Sequence, residues 1–230
     1  MRNYPASISI ITIESEMYHN SVPVLHYTIQ YPQFMNRYHQ KALNRINTYY
    51  KKMALEYQLQ FETVMYCEAV NQYEYSIAND FPFHMYEALL NFQVTYNKDC
   101  VISLFFDIYR FTGGAHGNTI RFADTWNIEN GYRIPLSQLF IPSLDYKEWL
   151  ITMITKQIAY QMSQGENWYF EEYESLVRQY FNCNNFYLSP EGVMIFFQQY
   201  EIAPYASGIP VFTIPFDENC VSRPFCCRCW

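Results

Sequence analysis

The chain has 230 residues, 50% of them hydrophobic, enough to bury a sizeable core as one or two domains. Its 22 acidic residues outnumber 15 basic ones for a net charge of -7, which excludes the basic footprint that nucleic-acid binding requires. No apolar run reaches the ~18–20 residues of a membrane helix, and Met1-Arg2-Asn3-Tyr4-Pro5 is not the charged start of a secretory signal.

Ile8–Glu14 and Val24–Tyr31 alternate apolar and polar residues like a pair of strands, separated by Glu14–Asn20 and Pro23. From about Gln33 the period changes. Leu43, Ile46, Tyr50, Met53, Tyr57, Phe61 and Val64 step by three and four, the stripe of an amphipathic helix. Neither Gly nor Pro interrupts it before Asn79-Asp80-Phe81-Pro82, so one long helix is predicted. Strands come next over Tyr86–Tyr96 and Val101–Phe111, joined by Asn97-Lys98-Asp99. Thr119–Ile128 leads out of a glycine-rich turn, and Asn130-Gly131 is the strongest two-residue hairpin signal. Leu136–Phe140 reads as a short helical turn.

Leu144–Ser163 reads as a second helix, with Leu150, Ile151, Ile154, Ile158 and Met162 on one side and Asp145 near its start, where negative charge is favoured. Glu171–Phe181 reads as a third. Ser189-Pro190-Glu191-Gly192 is a turn joining Asn185–Leu188 to Val193–Gln199, and Val211–Phe216 is the last strand. The predicted class is α+β: a strand pair and a long helix, then a mainly antiparallel sheet with two or three helices. The predicted divisions are 1–83, 84–217, and a cysteine-rich tail at 218–230 that is expected to be disordered.

Two stretches stand out: Thr112-Gly113-Gly114-Ala115-His116-Gly117-Asn118-Thr119 and Tyr200-Glu201-Ile202-Ala203-Pro204-Tyr205-Ala206-Ser207-Gly208-Ile209-Pro210. Three glycines around His116 predict a backbone turning through positive φ, where glycine alone escapes steric penalty. The five histidines, His19, His26, His39, His84 and His116, form no HExxH pair, and the chain has neither a GxSxG elbow nor a GxxxxGK[ST] loop. His116 either acts as a base with an acid such as Glu201 or bonds a neighbouring carbonyl to pin its turn. Glu171, Glu172 and Glu174 read as a solvated helix start rather than paired catalytic carboxylates. Cys226, Cys227 and Cys229 lack a second CxxC or a histidine pair at zinc spacing. No cofactor, metal or catalytic residue is expected.

These two stretches, with Tyr187-Leu188-Ser189-Pro190-Glu191-Gly192 and Ile195-Phe196-Phe197 between them, closely resemble a family of extracytoplasmic domains. That family includes the lysozyme-binding part of the anti-sigma factor RsiV and the domains preceding the catalytic module of the peptidoglycan deacetylase PdaC. The resemblance is most specific over Tyr86–Phe216, with 1–83 as the companion region. The chain departs from those proteins in lacking a membrane helix, a sigma-binding segment and the deacetylase metal motifs. The resemblance implies a non-catalytic recognition domain whose partner is lysozyme or a peptidoglycan fragment, and an acidic chain suits a cationic protein. The binding residues expected are Gly113, Gly114, His116, Gly117, Asn118, Tyr200, Glu201, Pro204, Tyr205 and Gly208. The second loop is included because it sets two tyrosines beside a proline, the rigid aromatic kind of anchor. The alternative is that Tyr200 and Tyr205 simply pack that loop against the glycine turn. Rival readings are a cell-wall glycan hydrolase using His116 with a carboxylate, and an intracellular interaction protein with reduced thiols. An extracytoplasmic location is implied by the resemblance, a cytoplasmic one if the chain is complete.

Overall fold

A computed structural model of the chain describes residues 5–165, 168–217 and 220–222. The order is β1 (Ser7–His19), β2 (Val22–Met35), α1 (Gln40–Gln60), a π-helical turn (Phe61–Met65), α2 (Tyr66–Ala78), β3 (Tyr86–Lys98), β4 (Val101–Phe111), β5 (Asn118–Asn127) and β6 (Tyr132–Arg133). Then come a 3-10 turn (Leu136–Leu139), α3 (Tyr146–Ser163), α4 (Tyr173–Tyr180), β7 (Phe186–Leu188), β8 (Gly192–Phe196), a second 3-10 turn (Tyr205–Ser207) and β9 (Val211–Pro215). One sheet has six strands in the order β1-β2-β3-β4-β5-β6, the other three in the order β7-β8-β9. The class is α+β as predicted, and β2 pairs with β3 in parallel, the helices between them spanning the crossover.

The chain forms two compact units, one of Ala6–Phe92 with Phe106–Ile120, the other of Gln93–Phe105 with the described residues from Arg121 onward. The division crosses β3, β4 and β5.

In the first unit β1 and β2 run far beyond the predicted pair. Glu14–His19, predicted as connection, is strand, because Asn20 (φ 49°) and Ser21 (φ 64°) close a two-residue hairpin with both central residues left-handed. The β2 strand continues to Met35, where a helix was predicted to have begun. Phe34 pairs with Ile8, and the Asn47 amide takes its N–H and C=O at 2.8 and 2.9 Å. The helical stripe buries Leu43, Ile46, Tyr50, Met53 and Phe61, whereas Val64 is 53% exposed and Met65 and Ala69 are buried in its place. Steps of four drift by roughly 40° each around an ordinary helix. The π turn, with its wider winding, brings Met65 and Ala69 back toward the core face. Tyr50 packs its ring at 5.2 Å from Phe106 and 6.3 Å from Phe34.

In the second unit Leu150, Ile151, Ile154 and Ile158 of α3 are buried against Leu188, Val193, Ile195, Phe212 and Ile214 of the small sheet. Asp145 caps α3 by accepting the Glu148 N–H at 3.4 Å. Asp99 and Cys100, both left-handed at φ 55° and 60°, close the hairpin between β3 and β4, overlapping the predicted Asn97–Asp99 connection at Asp99 and ending one residue past it. Cys100 is disulfide-bonded, while Cys67, Cys183 and Cys220 are free thiols. Val221, within the predicted disordered tail, is buried and bridges Phe140. Cys226, Cys227 and Cys229 lie outside the described residues.

Gly192 opens β8 opposite Pro215, and a Cβ there would stand 2.1 Å from the Ile214 carbonyl oxygen. Backbone cannot yield as a side-chain tip does. We expect Gly192→Ala to destabilise the protein by at least about 1–3 kcal/mol in urea unfolding, with the loss appearing in the midpoint rather than the slope.

Candidate functional site

The glycine turn, in the first unit, uses its glycines for different reasons. Only Gly113 has a positive φ, 81°. Gly117 is required by close approach, since a Cβ there would meet the Tyr109 ring at 2.2–2.6 Å. Gly114 has nothing nearer than 4.0 Å and no positive φ, so the backbone takes its predicted turn through positive φ at Gly113 alone. The exposed His116 places Nδ1 3.0 Å from the Gly117 carbonyl oxygen, the turn-pinning bond. Asn118 is the exposed first residue of β5.

The second stretch lies in the other unit and is fastened at many points. Gln198 leaves β8 with its side-chain amide clamped on the peptide of Arg121, accepting the N–H at 2.9 Å and donating to the carbonyl at 2.7 Å. Its own N–H donates to Glu201 Oε2 at 2.6 Å, and Glu201 N–H returns to the Gln198 carbonyl at 3.2 Å. This tight turn forces Tyr200 into φ 66°, where a bulky side chain is a strained outlier, and leaves it 51% exposed. Ile202 and Ala203 are buried, and Phe170 N–H bonds the Ile202 carbonyl at 3.1 Å. Pro204, exposed, precedes the 3-10 turn that carries Tyr205. The Tyr205 ring lies 5.9 Å from that of Tyr200. Gly208 closes the loop at φ 66°, ψ -137°, a conformation essentially confined to glycine. Ser207 donates to the carbonyl of Trp168 at 2.7 Å, beside an indole 55% exposed that no sequence motif singles out.

Glu201 also lines an open cleft of about 570 Å³ built from the start of α3 (Lys147, Glu148, Ile151) and from the end of α4 and its exit (178–183). Across it Arg178 Nη1 donates to Glu148 Oε1 at 2.6 Å. None of these partners was expected from the sequence, because no motif links positions so far apart in the chain. Glu171, Glu172 and Glu174 are exposed and do not line the cleft. Among the described residues no three His, Cys, Asp or Glu side chains gather as a metal site, and no helix is long and apolar enough to cross a membrane.

Two family descriptions match the chain. Deacetylase PdaC matches residues 19–119, and the protein of unknown function DUF3298 matches residues 137–217. A DUF3298-family protein from Bacteroides fragilis NCTC 9343 has the same fold at 17% identity, covering 95% of this chain and 94% of that one, with a TM-score of 0.72. A second, from Pseudomonas aeruginosa PAO1, is 16% identical over 92% of this chain and 91% of that one, with a TM-score of 0.62. No curated protein matches at a significant level.

In the DUF3298-matching region, burial pushes the Glu201 carboxyl above the usual carboxylate range, only partly offset by the Gln198 N–H. A carboxyl whose folded pKa is raised stabilises the fold least once it is ionised. The contribution of Glu201 to stability is therefore fully present below the ordinary carboxylate pKa and is lost as pH rises through the raised value, opposite in sign to Glu148 and Glu191, whose carboxyls are held low. The other titratable groups lining the cleft are Lys147, Glu148, Arg178, Tyr180 and Cys183. Glu201→Gln keeps an oxygen for the Gln198 N–H, and we expect it to flatten this fall in thermal melts between pH 3 and pH 8, within roughly the range where carboxylates titrate.

Proposed function

We propose that the chain is a non-catalytic recognition domain that binds a protein of the lysozyme type or a cell-wall glycan through the Tyr200–Gly208 loop. The observation that carries this reading is Tyr200, held half-exposed in a left-handed backbone by a hydrogen-bonded turn. Strain of this kind costs of order 1–3 kcal/mol and persists where the surroundings over-determine it, typically at ligand clamps. Tyr200, Tyr205 and Trp168 supply large rigid side chains with two torsions each, the type that anchors interfaces. The net charge of -7 favours rapid encounter with a cationic partner. The PdaC and DUF3298 matches agree with the sequence resemblance that suggested such a role. The Cys100 disulfide fits an oxidising compartment outside the cytoplasm. His116, bonded to its neighbour's carbonyl, is a turn residue in this reading, and the Gly113–Asn118 turn is a second surface to be tested in its own right.

Calorimetric titration with a C-type lysozyme, at low and physiological salt and with lysozyme activity assayed alongside, tests the reading. We expect saturable binding that weakens with salt, and a loss of at least about tenfold in affinity for Tyr205→Ala with the melting curve unchanged. Tyr200→Gly should relieve the backbone strain, leaving stability equal or higher while binding falls. No heat at either salt would discard lysozyme, and unchanged affinity in both variants would discard the loop.

The compartment has its own readout. With seven cysteines and two consumed by the Cys100 disulfide, protein taken from its native cell and denatured without reductant should titrate no more than five free thiols. Seven would place it in a reducing environment.

A further inference from the structure

The cleft beside the loop is lined by Lys147, Glu148 and Ile151 from α3, by residues 178–183, and by Glu201. Its charges do not all stand alike. Arg178 and Glu148, both exposed, satisfy each other through a 2.6 Å hydrogen bond, and that bond holds the Glu148 carboxyl below its ordinary range and the guanidinium above its own. Lys147 is exposed on the first turn of α3, where its flexible stem keeps the ammonium hydrated. Glu201 differs from all three. It is half-buried, its side chain accepts the Gln198 N–H, and among the described residues no cation forms an ion pair with it.

Three further features of the cleft act in one direction. Residues 178–182 are the last turn of α4 and its exit, the end of a helix where the peptide dipoles present partial negative charge. Tyr180 and Phe181 line the same wall, and aromatic faces attract ammonium and guanidinium groups. The volume, about 570 Å³, admits a long side chain end-on and leaves room for its water.

We propose that this cleft receives a protonated basic side chain, lysine or arginine, presented by a protein partner, with the Glu201 carboxylate as its counter-charge. This contact rests on the recognition role proposed for the neighbouring loop and names its chemistry. The Tyr200 turn gives that carboxylate its position: Gln198 clamps Arg121 with its side chain and Glu201 with its N–H, so the acid is fixed before the ligand arrives. A half-buried carboxylate raised by desolvation gains more from an incoming cation than a hydrated one does, because the cation replaces solvation already lost. A neutral sugar would find hydrogen-bonding groups but would leave the buried charge uncompensated.

The test is an amide-resolved NMR titration of the full chain with three probes at millimolar concentration: Nα-acetyl-lysinamide, its neutral isostere Nα-acetyl-norleucinamide, and the neutral disaccharide chitobiose. The expected result is shifts for the lysine probe at residues 147–151, 178–183 and 201, absent for norleucinamide. Affinity should strengthen as pH rises through the Glu201 titration and then level off. Glu201→Gln, with an otherwise unchanged spectrum, should weaken the lysine probe at least about tenfold. Tyr180→Ala should weaken it less and leave the pH dependence in place, which separates loss of the aromatic wall from loss of the charge. Shifts with chitobiose and none with lysinamide would overturn the proposal in favour of a glycan. Equal shifts with lysinamide and norleucinamide, or none with any probe, would also overturn it. Because the probes are small molecules, lysinamide can bind while the lysozyme titration fails, which removes lysozyme and leaves the cleft. Lysozyme can equally bind while the cleft stays unmoved, which does the reverse.

Discussion

One buried hydroxyl fixes how the second unit is put together. Ser103, in β4 and fully buried, stands with its Oγ 2.8 Å from Thr125 Oγ1 of β5 and accepts the Leu188 N–H of β7 at 2.8 Å. A buried N–H left unpaired costs about 1–3 kcal/mol, so β7 gains most in the register that sets the Leu188 N–H on this hydroxyl. A slip of β7 by one residue would turn Leu188 away from the core and take its N–H off the Ser103 hydroxyl. From that anchor the ladder carries position outward, Leu188 to Val193 and Ile195 to Phe212, and the burial of those chains against α3 locks it.

The loop after β8 inherits this rigidity. Phe197 N–H bonds the Pro210 carbonyl at 3.0 Å and closes the base of the loop, while the Gln198 amide stands in for a strand edge on Arg121. Inside those ties Ile202 and Ala203 are buried, so the exposed side chains on either side, Tyr200 and Pro204, sit on a framework and not on a free strap. A left-handed tyrosine is tolerable only under these conditions. In a slack loop the residue would relax to negative φ and carry Glu201 away from the Gln198 N–H. Strain, aromatic exposure and carboxyl burial are therefore three consequences of one clamp.

What the sequence made legible was whatever repeats or punctuates. The α3 stripe at Leu150, Ile151, Ile154 and Ile158 is buried as its spacing predicts, and Asp145 caps the helix it was expected to begin. Features set by shape were not legible. Asn20-Ser21 and Asp99-Cys100 each place two non-glycine residues at positive φ, and neither carries the glycine by which such hairpins are usually found. The π turn at Phe61–Met65 has no compositional mark, and it moved the core contact from Val64 to Met65. Gly117 looked like a turn glycine and proves to be a space for the Tyr109 ring. The loop of the candidate site was visible through its tyrosines, proline and glycine, but the cleft was not. Lys147, Arg178 and Glu201 belong to three elements whose meeting depends on how α3 and α4 pack.

Two carboxyls displaced in opposite directions within one cleft are also what an acid–base pair looks like, and the causes decide between the meanings. Glu148 is lowered first by its hydrogen bond to Arg178, an exposed contact that already occupies the oxygen a reacting group would need. Glu201 is raised by desolvation, and among the described residues no second titratable side chain is bonded to it that could pass or receive a proton. Proton transfer requires the two groups to address one reacting bond, whereas charge recognition requires only that one charge be kept waiting in a partly dry place. In the recognition role proposed for it, the cleft needs a single residue, Glu201, and the clamp at Gln198 is what keeps that residue in place.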